Sequence, residues 1–174
     1  MIETISNKHL IYKYKIKDFF KHKNEIISLI KKIPWNPLNE PGQRIYHTDW
    51  NLPQNFQREY IDYINSTILN DYVKHMLDKW QTSYSISHLW FQCYRKNDFH
   101  TWHTHSSTNL TNIFYINLPN QNYKTKFKCF KEEIEIPIEE GYILTIPAYI
   151  LHSSPINQSL EEKIIISFNS EIKV

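Results

Sequence analysis

The sequence predicts a mainly β protein of the α+β class, a jelly roll braced by N-terminal supporting helices. Three observations predict it. Apolar residues recur at the three- and four-residue intervals of helices only before Trp80; short strand-like runs follow one another after it; and no repeat or low-complexity linker divides the 174 residues. Such a length suits one domain, 1–174, with 1–80 as a helical support region plus edge strands and 81–174 as the jelly-roll core carrying the site.

The elements follow in order. Residues 10–16 (LIYKYKI) alternate with the period of two of a half-buried strand. Asp18 then caps a helix running to about Ile33, in which Ile26, Ile27, Leu29, Ile30 and Ile33 form an apolar stripe and Pro34 is the stop. A short strand over 44–48 follows. Between 53 and 80, Tyr60, Ile61, Ile64, Ile68, Tyr72, Val73, Met76 and Trp80 mark one long helix or two consecutive ones. Beyond them the strand candidates are 83–94, 111–118, 124–130, 133–138, 142–147 and 163–169, parted by turn residues such as Asn97-Asp98, Pro119-Asn120 and Glu140-Gly141. Many short strands in succession make a sandwich or barrel, and helices confined to the front make a jelly roll the economical architecture.

Composition excludes several classes. A hydrophobic content of 41% and an aromatic content of 15% exclude a disordered chain. No apolar run approaches the roughly 20 residues that cross a bilayer, so no membrane partner is expected. The opening MIETISNKHLIYKYKIK lacks the apolar block of a secretory signal, which predicts a cytoplasmic location, host or viral intracellular. A net charge of +2 and a pI near 8.4 fall short of the basic excess of a nucleic-acid-binding domain. Cys93 and Cys129 are too few for a disulfide framework and lack zinc-ribbon spacing, so both are expected to be buried free thiols.

The chemistry-bearing stretch is FHTWHTHSST, with His100, His103 and His105 within six residues. In an extended strand residues i and i+2 share a face, so His103 and His105 present two imidazoles side by side. His100 stands at an odd spacing from His103 and shares that face only if a bulge intervenes or the strand ends early. A third ligand must come from a distant strand, and His152, in EGYILTIPAYILHSSPIN, is the best candidate. Three nitrogen ligands leave open positions and suit Fe(II), Mn, Cu or Zn better than Mg or Ca. His9, His22, His47, His75 and His88 are scattered without ligand spacing, His88 being placed at most to support the site.

Three blocks, WFQCYRKNDFHTWHTH, NIFYINLP and EGYILTIPAYILHSSPIN followed by KIIISFNS, occur in an order and spacing that resembles the 2-oxoglutarate- and Fe(II)-dependent oxygenases. The resemblance is to the prolyl-hydroxylase-like branch and its phage-encoded relatives, and it covers roughly 84–169. It implies a double-stranded β-helix of cupin-like kind, Fe(II) and 2-oxoglutarate as cofactors, and O2 as a partner in hydroxylation. It also implies His103 and His152 as metal ligands, with His105 where the family usually has Asp or Glu. Tyr94 matches the tyrosine that helps hold the cosubstrate, and Lys163 falls where a basic residue grips its distal carboxylate. Ile165 stands where many members have a serine, so Ser167, Thr145 or Tyr94 must compensate. Gln92, on the face of Trp90 and Tyr94, is a further polar contact, and Asp98 is a minor candidate ligand.

The His105 departure keeps other readings open. One is a three-histidine dioxygenase or a hydrolase that uses no 2-oxoglutarate. The other is a non-catalytic jelly-roll module whose histidines hold a structural metal, with His100 as a fourth ligand, or none. The primary substrate is not specified by these residues.

Overall fold

The computed structural model describes residues 2–6, 10–53, 55–129 and 132–173, so His9, Gln54 of the predicted helix 53–80 and Phe130 of the predicted strand 124–130 lie outside the described residues. The chain begins with the hairpin β1 (Ile2–Ser6) and β2 (Ile11–Lys15), followed by helix α1 (Phe19–Lys31). Short strands β3 (Leu38–Glu40), β4 (Gln43–Ile45) and β5 (His47–Thr48) lead to α2 (Glu59–Ile64) and α3 (Asn70–Trp80). One π-helical turn, Asn65–Leu69, joins these two helices. The β core is β6 (Ser83–Tyr94), β7 (Phe99–His103), β8 (Leu110–Asn117), β9 (Lys126–Cys129), β10 (Glu132–Ile134), β11 (Tyr142–Pro147), β12 (Leu151–Ser154) and β13 (Lys163–Lys173).

These strands form two sheets with antiparallel pairing, a seven-stranded sheet ordered β1-β2-β11-β8-β13-β6-β5 and a six-stranded sheet ordered β10-β9-β12-β7-β4-β3. The larger sheet is covered on both faces. Phe91, Cys93, Phe114, Ile116, Ile143, Ile164, Ile166 and Phe168 point outward and pack on Ile26, Leu29, Ile30, Tyr60, Ile64, Ile68, Tyr72 and Met76 of the helical layer. Their alternates, among them Tyr94, Ile113, Tyr115, Leu144, Ile146 and Ile165, turn into the gap between the sheets. Double coverage is why KIIISF reads as an almost unbroken apolar run instead of an alternation. Burying each such side chain stabilises the fold by roughly 1.5–3 kcal/mol.

Local details differ from the expectations. Asp18 stands at the start of α1 with φ 51°, in the left-handed region, and makes no side-chain cap. Its backbone carbonyl instead accepts the Lys21 N–H at 2.9 Å, so the chain enters the helix through a turn. The strand expected over 133–138 is Glu132–Ile134, and Ile136 and Ile138 continue into the core without ladder pairing. β7 and β12, which carry the histidines, are too short to show a period. Gly141 takes φ 80° at the entry to β11, where a Cβ would lie 2.7 Å from Phe19. Among the described residues no helix is long and apolar enough to cross a membrane, and both cysteines are free and buried.

A buried carboxylate ties the segment after β5 to the larger sheet. Asp49, 1% exposed, accepts from Arg58 Nε at 2.8 Å, Tyr60 OH at 2.7 Å and the Phe91 backbone N–H at 2.9 Å. Nothing in the sequence marks this residue, because its partners come from the start of α2 and from β6, which lie far apart in the chain.

Candidate metal centre

The site lies in the gap between the sheets. His103 is the last residue of β7, and His152, on β12, faces it directly in the antiparallel register. Their ring centroids are 4.2 Å apart. The expectation that His105 would follow His103 along one strand is corrected, since β7 ends at His103. The His105 N–H donates to the Ala148 carbonyl at 3.0 Å, which turns the chain back over the start of β12. Its ring thereby comes to 5.5 Å from His103 and 5.1 Å from His152. One ligating nitrogen from each of the three lies within 4.8 Å of the others.

The second ring nitrogens identify those that converge. His103 Nδ1–H donates to the Thr101 carbonyl at 2.8 Å, His152 Nδ1–H to the Ile150 carbonyl at 3.0 Å, and His105 Nδ1–H to Asn169 Oδ1 at 2.8 Å. With Nδ1 protonated in all three, each Nε2 keeps its lone pair, the arrangement by which neighbouring groups orient metal-ligating histidines. Burial holds all three imidazoles below their ordinary pKa, His152 well below, which keeps them neutral at pH 7 as ligation requires. The donor set therefore fits a divalent cation of the imidazole-binding kind.

His100 joins the same face through the bulge that the odd spacing demanded. Across β7 and β12, His152 pairs with His103 but Ser154 pairs with His100, so two residues of β7, Thr101 and Trp102, stand opposite Ser153 alone. The His100 ring stacks on His103 at 3.8 Å and 13°. Burial, and then the neighbouring His103, push its pKa down to about 3. Asp98 is excluded as a ligand by its partners: it accepts from Arg44 Nε at 3.1 Å and from the Arg95 backbone N–H at 2.8 Å, closing the β6–β7 turn. His88 packs against both Trp50 and Trp90, at 5.0 and 5.2 Å.

An open cavity of about 300 Å³ surrounds the histidines, and no Asp, Glu, Lys or Arg is among the described residues that line it. Trp90, Gln92, Tyr94, Ile165 and Ser167 form its larger-sheet wall. Gln92 and Ser167 are bonded to each other, Ser167 Oγ donating to Gln92 Oε1 at 3.2 Å. Lys163 is 0% exposed behind this wall, and its ammonium donates to Ser154 Oγ, itself on the cavity, at 2.9 Å. It also sits 5.3 Å from the centre of the Tyr94 ring. Burial lowers its pKa from 10.5 to about 7.

Two neighbours were missed in the sequence. The hydroxyls of Tyr115 and Thr125 are buried without a hydrogen-bond partner among the described residues, and Thr125 lines the cavity. Burial, opposed by the nearby Thr125, pushes the Tyr115 phenol pKa up. Tyr115 was legible as the inward alternate of Ile113 in NIFYINLP; Thr125, just ahead of β9, carries no local signal. Thr145, one of the residues expected to compensate for Ile165, lies on the opposite face of the sheet, its hydroxyl 2.8 Å from that of Tyr72 under the helices.

No family model matches the sequence, and no curated protein matches it. Solved structures do match. The viral collagen prolyl hydroxylase of Paramecium Bursaria Chlorella virus-1, in its 2-oxoglutarate complex, is 16% identical with a TM-score of 0.60, over 94% of this chain and 96% of that one. A Pseudomonas putida prolyl-4-hydroxylase is 12% identical with a TM-score of 0.64, over 94% and 93%. The epimerase SnoN in complex with Fe3+, alpha ketoglutarate and nogalamycin RO is 10% identical with a TM-score of 0.69, over 94% and 79%. At these identities the likeness is one of fold: the chain has the double-stranded β-helix that these oxygenases share.

Proposed function

We propose that the chain is a 2-oxoglutarate- and Fe(II)-dependent dioxygenase that hydroxylates a C–H bond, with His103, His105 and His152 as the metal ligands. The observation that carries this reading is the convergence of three Nε2 lone pairs in a cavity backed by a buried, carboxylate-free lysine. When bound, Fe(II) and 2-oxoglutarate supply O2 activation and oxidation of the substrate, the cosubstrate leaving as succinate and CO2.

The chain's own residues bind and orient. The Lys163 ammonium, held by a single hydroxyl, is the counter-charge for the distal carboxylate of the cosubstrate, as a point charge without the fork of an arginine. Thr125 offers the cavity a hydroxyl that, like the buried Tyr115 phenol, finds no hydrogen-bond partner among the described residues, and Tyr94 and Ser154 complete that end, which supplies what Ile165 cannot. Gln92 and Ser167 present a bonded polar pair on the same wall. Trp90 and Trp50, 4.5 Å apart, form the aromatic side of the cavity. The likeness of fold to proteins solved with 2-oxoglutarate and with iron supports the same assignment.

A three-histidine dioxygenase without 2-oxoglutarate is the reading that His105 favours, since among the described residues no carboxylate lines the cavity with the trio. Lys163 weighs against it, because a wholly buried ammonium whose hydrogen-bond partner among the described residues is one neutral hydroxyl calls for an anion. Anaerobic addition of Fe(II) and then 2-oxoglutarate is expected to produce a weak visible charge-transfer band, and admission of air to release succinate. A wild type that holds iron, and loses it in His103→Ala and His152→Ala controls, yet shows neither signal would refute the assignment.

A further inference from the structure

The three histidines are not secured alike. His103 and His152 each donate Nδ1–H to the carbonyl two residues earlier on their own segments, Thr101 and Ile150. Those acceptors are backbone atoms and survive any side-chain substitution. His105 lies beyond the end of β7, and its acceptor is a side chain on the opposite sheet, Asn169 Oδ1.

We propose that Asn169 is the positioning residue that makes His105 a metal ligand. This rests on the reading of the trio as a metal site. The amide oxygen accepts from Nδ1–H, so the Nε2 lone pair is turned to the other two histidines. Were the amide reversed, its NH2 would face Nδ1, the ring would take the opposite tautomer, and an N–H would point at the cation. Thr111 stands beside the same pair: its Oγ1 donates to Asn169 Oδ1 at 3.3 Å and lies 3.4 Å from His105 Nδ1, so the threonine packs against both partners of the bond. Trp90 limits the other freedom of the ring, since its indole stacks on His105 at 5.8 Å and 24°.

The backbone aims Asn169 for this purpose. In the β6–β13 ladder Asn169 pairs with His88 but Ser170 pairs with Ile86, a bulge immediately after the asparagine, whereas the β8 side keeps its register with Thr111 opposite Asn169. Bulges re-aim a side chain locally. No hydrogen bond from the Asn169 Nδ2 group is found among the described residues, and the residue lines the cavity, so its oxygen is committed and its nitrogen is free to face a bound molecule.

The test uses Co(II) and Cu(II) alone on the full chain, without 2-oxoglutarate. The wild type is expected to bind one Co(II), and Asn169→Leu to bind it 10- to 100-fold more weakly, as loss of such a support typically costs. Cu(II) electron paramagnetic resonance should lose one coupled nitrogen in Asn169→Leu, matching His105→Ala. Asn169→Asp, which keeps an acceptor oxygen, should restore both affinity and nitrogen count. In metal-free wild type, nitrogen NMR should find His105 as the Nδ1–H tautomer, a result that needs no variant to fold. An Nε2–H tautomer, or wild-type cobalt affinity and spectrum in Asn169→Leu beside a weakened His105→Ala, overturns the role of Asn169 and leaves the metal site standing. A wild type that binds neither ion removes the metal site and this inference together.

Discussion

Replacing Lys163 by methionine separates a binding lysine from a structural one. The ammonium is wholly buried, bonded to Ser154 and, among the described residues, to no carboxylate, and its pKa falls from 10.5 to about 7. Between those values the unfolded chain holds a proton that the folded chain has released, so wild-type stability rises with pH across that window. The penalty is fully present below about pH 7 and gone above 10.5. At about 1.4 kcal/mol per pKa unit it is on the order of 5 kcal/mol. Methionine fills a similar volume without the charge, and part of that penalty should return as stability. With roughly 2–4 °C of Tm per kcal/mol for a chain of this size, Lys163→Met is expected to melt on the order of 10 °C higher at pH 7, the difference closing as pH approaches 10. Its cobalt-loaded form should bind 2-oxoglutarate about 10- to 100-fold more weakly, from the loss of a charged hydrogen bond of roughly 1.5–3 kcal/mol. Thermal melts of metal-free protein from pH 6.5 to 10 and a calorimetric titration of 2-oxoglutarate check both. A variant that melts at or below the wild type at pH 7, with the same slope against pH, refutes the reasoning.

Tyr115→Phe and Thr125→Val remove hydroxyls that find no hydrogen-bond partner among the described residues, so each should leave the ligand-free Tm unchanged or slightly raised while weakening 2-oxoglutarate several-fold; equal affinity in both variants would show that these groups do not hold the cosubstrate. Asp49→Ala strips the partner from Arg58, Tyr60 and the Phe91 N–H, and should lower the unfolding free energy by about 3–5 kcal/mol in denaturant titration; a loss below about 1 kcal/mol would mean that water replaces the carboxylate.

How far the sequence could be read depended on the range of each interaction. The helical stripe of Ile26, Leu29 and Ile30 and the long run of β6 are local patterns repeated over many residues, and both elements stand where periodicity set them. His103 and His152 were legible because residue type is itself the signal for a metal site. His105 was found by the wrong geometry: the strand on which the i, i+2 spacing was laid stops two residues short of it, and a bond to Ala148 does the converging. The bulge that turns His100 inward exists only in the pairing of two strands far apart in the chain. Thr145 faces away from the site because β11 pairs with β2 and β8, a register that no stretch of its own residues encodes. Asn169 and Asp49 act through partners dozens of residues distant, His105 and the Phe91 N–H, and Thr125 through a cavity that only the assembled sheets enclose, none of which a polar residue in isolation hints at.

The division of the cavity between unequal walls has a mechanical consequence. His103 and His152 stand on the smaller sheet, whose other face shows Trp102, Lys126 and Leu151 to solvent. Lys163, Ser167 and Asn169 stand on β13, clamped between β6 and β8 and backed by helices. Whatever occupies the gap is therefore a rivet driven through a thin leaf into a thick one. Filling it stiffens the leaf and leaves the backing as it was, and emptying it frees the histidine-bearing strands first.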